Sequence, residues 1–233
     1  MNRTETYKDL VILYEDNHLI AVNKRPGDIV QGDKTQDSSL MDLLKEYIKV
    51  KYKKPGDVFI GLVHRLDRPV SGVVVFARTS KALSRMNELF RHGEVKKTYW
   101  AVVKNRPQME EDTLVHHLRK NEKQNKSFLS KAGNTDSKKA ELYYQLIGST
   151  DRYWLLEVDL KTGRHHQIRA QLAAIGSPIR GDLKYGSERS NRDGSIHLHG
   201  RSITFEHPVK KTPLTILAPS PKESLWSAIV PIE

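Results

Sequence analysis

The chain has 233 residues, no cysteine, and 39 Lys plus Arg against 28 Asp plus Glu, a net charge of +11 with a sequence pI near 9.7. Disulfide frameworks, thiolate nucleophiles and sulfur-ligated zinc are thereby excluded, and a chain of this length buries enough surface to fold without a cross-link or a metal. No apolar run approaches the roughly 20 residues that span a bilayer, the first ten residues hold no apolar leader core, and the basic surplus points to a cytoplasmic protein with nucleic acid, not a membrane, as its partner.

Residues 10–14 and 18–22 are β-rich runs on either side of Glu15-Asp16-Asn17, which predicts a hairpin. Ser39 opens a helix in which Leu40, Leu43, Leu44, Tyr47 and Ile48 recur at helical spacing. Pro55-Gly56 breaks the segment that follows. Residues 58–63 and 72–77 read as buried strands separated by His64-Arg65-Leu66-Asp67-Arg68-Pro69. Ser80 is the expected N-cap of a helix through Arg91, closed by Gly93. Strands are expected over 98–103, 142–147 and 154–160. A helix over 165–175 carries Ile168, Leu172 and Ile175 on one stripe, with Gly176 past its end. Short strands over 197–205 and 215–217 and a helix over 224–230 follow. Strands predominate without regular βαβ alternation, so the fold class is α+β: one compact domain on a mixed, mainly antiparallel sheet with flanking helices. The segment 119–139 stands apart, with seven Lys or Arg against Glu122 and Asp136. It suits a solvated hairpin tip and an RNA-contacting insertion equally.

Three clusters can carry chemistry. The first is His64-Arg65-Leu66-Asp67-Arg68, where a carboxylate sits between two arginines on a turn between strands. Neighbouring cations favour a charged carboxylate, which suits a nucleophile or general base, although residue types alone fit a structural ion pair as well. The second is Thr162-Gly163-Arg164-His165-His166-Gln167-Ile168-Arg169, a donor-rich run at a helix start that suits anions. On the expected helix His165 and Arg169 share a face. The third is Lys97-Thr98-Tyr99-Trp100-Ala101, whose two aromatics point to opposite faces of a strand, so that one is available to stack on a base. His197 and His199 share a strand face, but no HExxH and no clustered carboxylates accompany the histidines, so no metal is expected. Without GxGxxG or GxxxxGK[ST], no nucleotide cofactor is expected either.

The run from His64 to Ala77 resembles the HRLDxxTSGLLLFA signature of the RluA-type pseudouridine synthases, and Thr162 to Arg169 is similar to that family's TGRxHQIR motif. Lys97-Thr98-Tyr99-Trp100-Ala101-Val102-Val103 resembles its KxYxAxV strand; Ile179, Gly181, Asp182 and Tyr185-Gly186 its PIxGDxxYG run; and Asn23-Lys24-Arg25-Pro26-Gly27 its opening. The likeness runs from about residue 10 to 219. It implies one catalytic domain over 1–233, with a core at about 10–219 and a central RNA-binding cleft. It also implies a stand-alone monomer without the S4 module of many relatives. By this resemblance Asp67 is the catalytic carboxylate, Arg169 pairs with it, and Tyr99 stacks on the flipped uracil. Arg65, Arg68, Lys96, Lys97, Arg164 and His165 hold RNA, no cofactor or metal takes part, and the substrate is ribosomal RNA before transfer RNA. Pro69-Val70 and Gln171 depart from the family pattern, which bears on substrate choice. The rival expectation is an RNA-binding protein with an inactive synthase-like site.

Overall fold

The computed structural model describes residues 4–32 and 37–230. In chain order its elements are β1 (Ile12–Glu15), β2 (Leu19–Lys24), α1 (Leu40–Lys51), β3 (Gly61–Leu62), β4 (Ser71–Ala77), α2 (Ser80–His92), β5 (Lys96–Val103), β6 (Glu111–Asn121), β7 (Lys126–Ser130), β8 (Lys138–Ser149), β9 (Trp154–Leu160), α3 (Gln167–Ala174), β10 (Leu198–Glu206), β11 (Pro213–Leu217) and α4 (Ser224–Ile229). The described residues fall into two compact units, one within Met1–Val95 and Gly200–Pro219, the other within Lys96–His199 and Ser220–Glu233.

In the first unit β1 and β2 form the expected hairpin, with Glu15 opposite Ile20. Asp16 closes it by accepting the backbone N–H groups of His18 and Leu19 on one carboxylate oxygen, both at 2.8 Å, which is why an Asp suits that turn. β2 continues antiparallel onto β4, from Leu19 opposite Ala77 to Lys24 opposite Gly72. The strand expected over 58–63 shrinks to two residues. β3 meets β4 only at Ala77 and Phe76, and beyond it the His64 ring, not a strand carbonyl, accepts the Val75 N–H at 3.1 Å. α1 begins as expected, with Ser39 and Asp42 exchanging side-chain and backbone bonds as a capping box. α2 is capped one residue earlier than expected. Thr79, in extended conformation, accepts the Ala82 N–H, and Gly93 ends the helix in the left-handed region. Met86 and Ala82 of α2 pack against Leu19, Val75, Ile203 and Ile216, so the helix seals one face of β2, β4, β10 and β11.

The second unit is a run of antiparallel neighbours: β5 with β9, β9 with β8, β8 with β6 and β6 with β7. β6 was not expected. Its inward positions Leu114, His116 and Leu118 alternate, but the central histidine hides the apolar period. The basic segment 119–139 is thus the β6–β7 hairpin and its return into β8. Trp226 and Ile229 of α4 pack with Trp100, Val102 and Leu155. Gly148 allows this closeness, since a Cβ there would lie 2.5 Å from the Ile229 carbonyl oxygen. Ala170 of α3 packs with Leu118, Ala140 and Tyr185. The class is the expected α+β, with helices laid on antiparallel ladders. Among the described residues no helix is long and apolar enough to cross a membrane.

Candidate active site

Asp67 stands on the turn between β3 and β4, half-buried, and its carbonyl accepts the Val70 N–H at 3.0 Å. The next carbonyls of this turn are bound by donors from the Lys24–Gly27 segment. The Lys24 ammonium donates to the Arg68 oxygen at 3.0 Å, the Val70 oxygen at 2.7 Å and the Arg25 oxygen at 3.1 Å. The Gly27 N–H donates to the Arg68 oxygen as well, at 2.8 Å. Lys24 is 1% exposed, and burial pulls its ammonium down to about 7, against the opposing pull of Asp28 and Asp67. Asp28 ties the Lys24–Gly27 segment in place through the N–H of Arg25 and both donors of Thr4. On the downstream side Gly72 has φ +123, and a Cβ there would lie 2.4 Å from the Gly200 backbone. Only glycine meets both demands. His64 is held by its ring stack on Phe90, 5.4 Å between centroids. Leu66, buried, anchors the turn, while Arg65 faces solvent. Arg68 pairs with Asp37 at 2.6 Å, each about a third exposed.

In the second unit the strand alternation separates the two aromatics as expected. Trp100 enters the core and donates to Glu157 at 3.1 Å, while Tyr99, on the opposite side of β5, pairs with Val158 of β9. Lys96 is exposed. The Lys97 ammonium lies 3.7 Å from where a Cβ of Gly163 would stand, and its burial favours the neutral form. The Thr162–Gln167 turn is held by Gln167, whose side-chain oxygen accepts from the Thr162 hydroxyl at 2.8 Å and the Arg164 N–H at 3.0 Å. Arg164 is exposed and donates from Nε to the Lys139 carbonyl.

The helix starts two residues later than expected. His166 takes φ +52, a left-handed position outside the helix, and α3 begins at Gln167. His165 and Arg169 therefore do not share a helix face. His165 stacks on His166 at 3.8 Å, with Nδ1 2.9 Å from the Ser127 hydroxyl and Nε2 3.1 Å from the Asn125 oxygen, so its ring engages the β6–β7 hairpin. Arg169 is gripped bidentately by Asp182, Nε to Oδ2 at 2.7 Å and Nη2 to Oδ1 at 2.8 Å, with side chains 6% and 1% exposed. Gln171, one of the departures from the family pattern, is fully buried and donates to the Leu114 and Ala140 carbonyls, so it props β6 and β8. His197 and His199 do share a face: both rings meet Trp226. Burial, aided by Arg180, holds His197 down to about 3. As a neutral ring it accepts from Asn191 on Nδ1 at 2.9 Å and donates from Nε2 to Glu223 at 3.0 Å, which pins the start of α4.

The chain matches the family model of RNA pseudouridylate synthases over residues 18–174. It belongs to that family. The tRNA pseudouridine synthase C of Vibrio cholerae serotype O1 is 32% identical to this synthase over 230 residues, 90% of each chain. The ribosomal large subunit pseudouridine synthase C of Buchnera aphidicola subsp. Schizaphis graminum is also 32% identical, across 93% of this chain and 69% of its own. The solved human RNA Pseudouridylate Synthase Domain Containing 4 superimposes with a TM-score of 0.77 at 25% identity, covering 91% of this synthase and 89% of its own chain. This synthase is accordingly an isomerase of RNA uridine. Reading the residues did not single out Lys24, although its strand parity marks it: Ile20, Val22 and Lys24 share a face of β2, and both neighbours are buried. Tyr185 entered only as part of a motif.

Proposed function

We propose that this synthase converts uridines of structured RNA, ribosomal before transfer RNA, to pseudouridine with Asp67 as the reacting carboxylate and Tyr99 and Arg169 completing the catalytic set. In the reaction the N1–C1′ bond breaks, the uracil turns, C5 joins C1′, and the proton lost from C5 is balanced by one gained at N1. Atoms and charge balance with no cofactor or metal. Asp67 attacks C1′ or C6, or assists a glycal route. A stacked uridine must first leave its stack, at a cost of a few kcal/mol, and Tyr99 stacks on it once flipped. Arg169, aligned by Asp182, supplies the countercharge. The exposed Arg65, Lys96 and Arg164, with Arg68, Lys97 and His165 beside them, contact the RNA backbone. The protein acts in the cytoplasm as a monomer, its 1–233 span forming one catalytic domain.

The observation that carries this reading is the construction of the Asp67 turn. A fully buried lysine and a backbone N–H converge on its carbonyls, which holds the backbone that carries the carboxylate still. The names of the relatives cover both RNA classes, so both pools need testing. Pseudouridine mapping of ribosomal and transfer RNA, from cells with the gene, without it, and with Asp67→Ala restored, should show sites lost in the last two. The purified Asp67→Ala protein should keep its fold and RNA affinity. Substantial product from that variant would show that another group reacts.

A further inference from the structure

We propose that Tyr185 is a positioning residue that joins the seat of the basic β6–β7 hairpin to the orientation of Arg169; this rests on the RNA-modifying role argued above. The two ends of the one side chain have different partners. At the hydroxyl end every bonding capacity is used. It accepts the Ser127 N–H at 2.8 Å and donates to the Ser127 carbonyl at 3.2 Å, fixing the backbone of β7 through both polar groups of one residue. With its proton so engaged, it accepts from His166 Nδ1 at 3.0 Å. Ser127 binds back to the motif turn, its hydroxyl donating to the His165 carbonyl at 2.6 Å.

At the ring end the Arg169 guanidinium carbon lies 5.1 Å from the ring centroid, and the Lys126 ammonium 4.9 Å. Both are within cation–π range. Tyr185 and Asp182 belong to one tight turn, closed by the Tyr185 N–H to the Asp182 carbonyl at 3.0 Å and ended by Gly186 in the left-handed region. One short turn therefore holds Arg169 twice, by the carboxylate fork and by the ring. The same ring carries the hydroxyl that seats the hairpin, which bears Arg119, Lys120, Lys123 and Lys126, cations suited to phosphates. A shift of β7 cannot occur without breaking the hydroxyl bonds or dragging the ring from Arg169. Binding on the hairpin and chemistry at Arg169 are coupled through this side chain.

Two substitutions separate its ends. Tyr185→Phe keeps the ring and removes the hydroxyl. It should free the hairpin, raising amide exchange across residues 126–130 and weakening affinity for a short substrate RNA by roughly tenfold, while kcat falls only slightly. Tyr185→Leu removes the ring as well and should add a large fall in kcat, with faster exchange of the Arg169 Nε–H proton. If both variants bind RNA and turn over like the parent and differ only in melting temperature, Tyr185 is a packing residue and the proposal fails. It fails equally if Tyr185→Phe loses as much kcat as Tyr185→Leu. Should the parent protein make no pseudouridine, the functional reading falls instead; RNA affinity and hairpin exchange in Tyr185→Phe, and Arg169 Nε–H exchange in Tyr185→Leu, still decide the two halves of the link.

Discussion

In the first unit the Asp67 turn is held at its main-chain carbonyls: that of Val70 accepts from Lys24, and that of Arg68 from Lys24 and Gly27. In the second, Arg169 is positioned by side chains, the Asp182 fork and the Tyr185 ring. The two designs tolerate change differently. A turn gripped by its carbonyls accepts various side chains, and the departures from the family signature, Pro69 and Val70, fall there. A buried guanidinium gripped by side chains depends on the identity of each partner.

That contrast can be tested by degrees. The largest effect is expected from Asp182→Ala, which removes the bidentate carboxylate from a buried guanidinium. Urea unfolding should show a loss of about 3–5 kcal/mol, and a loss below about 1 kcal/mol would mean the pair behaves as a surface ion pair. Lys24→Met should come next, lowering activity by loosening the Asp67 turn while changing stability in a pH-dependent way. The folded protein holds the Lys24 ammonium down to about 7, from an ordinary value of 10.5. Between these values the unfolded chain binds the extra proton, so the stability contributed by Lys24 grows as pH rises from 7 to 10.5 and is lost as pH falls back. The deficit of Lys24→Met against the parent should therefore widen with pH across that window. A constant deficit would show that Lys24 titrates normally. The smallest effect is expected from Pro69→Asp. It removes the ring that fixes one backbone angle of the turn and leaves the bound carbonyls in place, so stability should stay within about 1 kcal/mol with turnover preserved. A large loss there would erase the distinction between the two designs.

Much of this was legible from local pattern. The β1–β2 hairpin, α1 and its cap, β9 and α4 follow from turn residues, capping chemistry and apolar period, all of which act over a few residues. The Asp67 cluster was visible because a charged, proline-ended run between two apolar strands is locally anomalous. β6 was not visible, because His116 occupies an inward position where its ring meets the Gln171 side chain, 55 residues away, at 3.0 Å. The start of α3 was misplaced for a similar reason. His166 is held in a left-handed conformation by Tyr185, a constraint that no window around His166 contains.

By itself, then, the sequence determined the α+β class, the basic character and the family, because composition, period and long motifs are properties of contiguous residues. Tertiary structure alone decided that Lys24 binds two carbonyls of the Asp67 turn, 44 and 46 residues away, that Asp182 grips Arg169, and that His165 engages the hairpin. Each of these is a polar group whose partner is set by which chain segments the fold brings together. A buried donor or acceptor must be satisfied wherever the fold places it, and sequence spacing carries no record of that meeting.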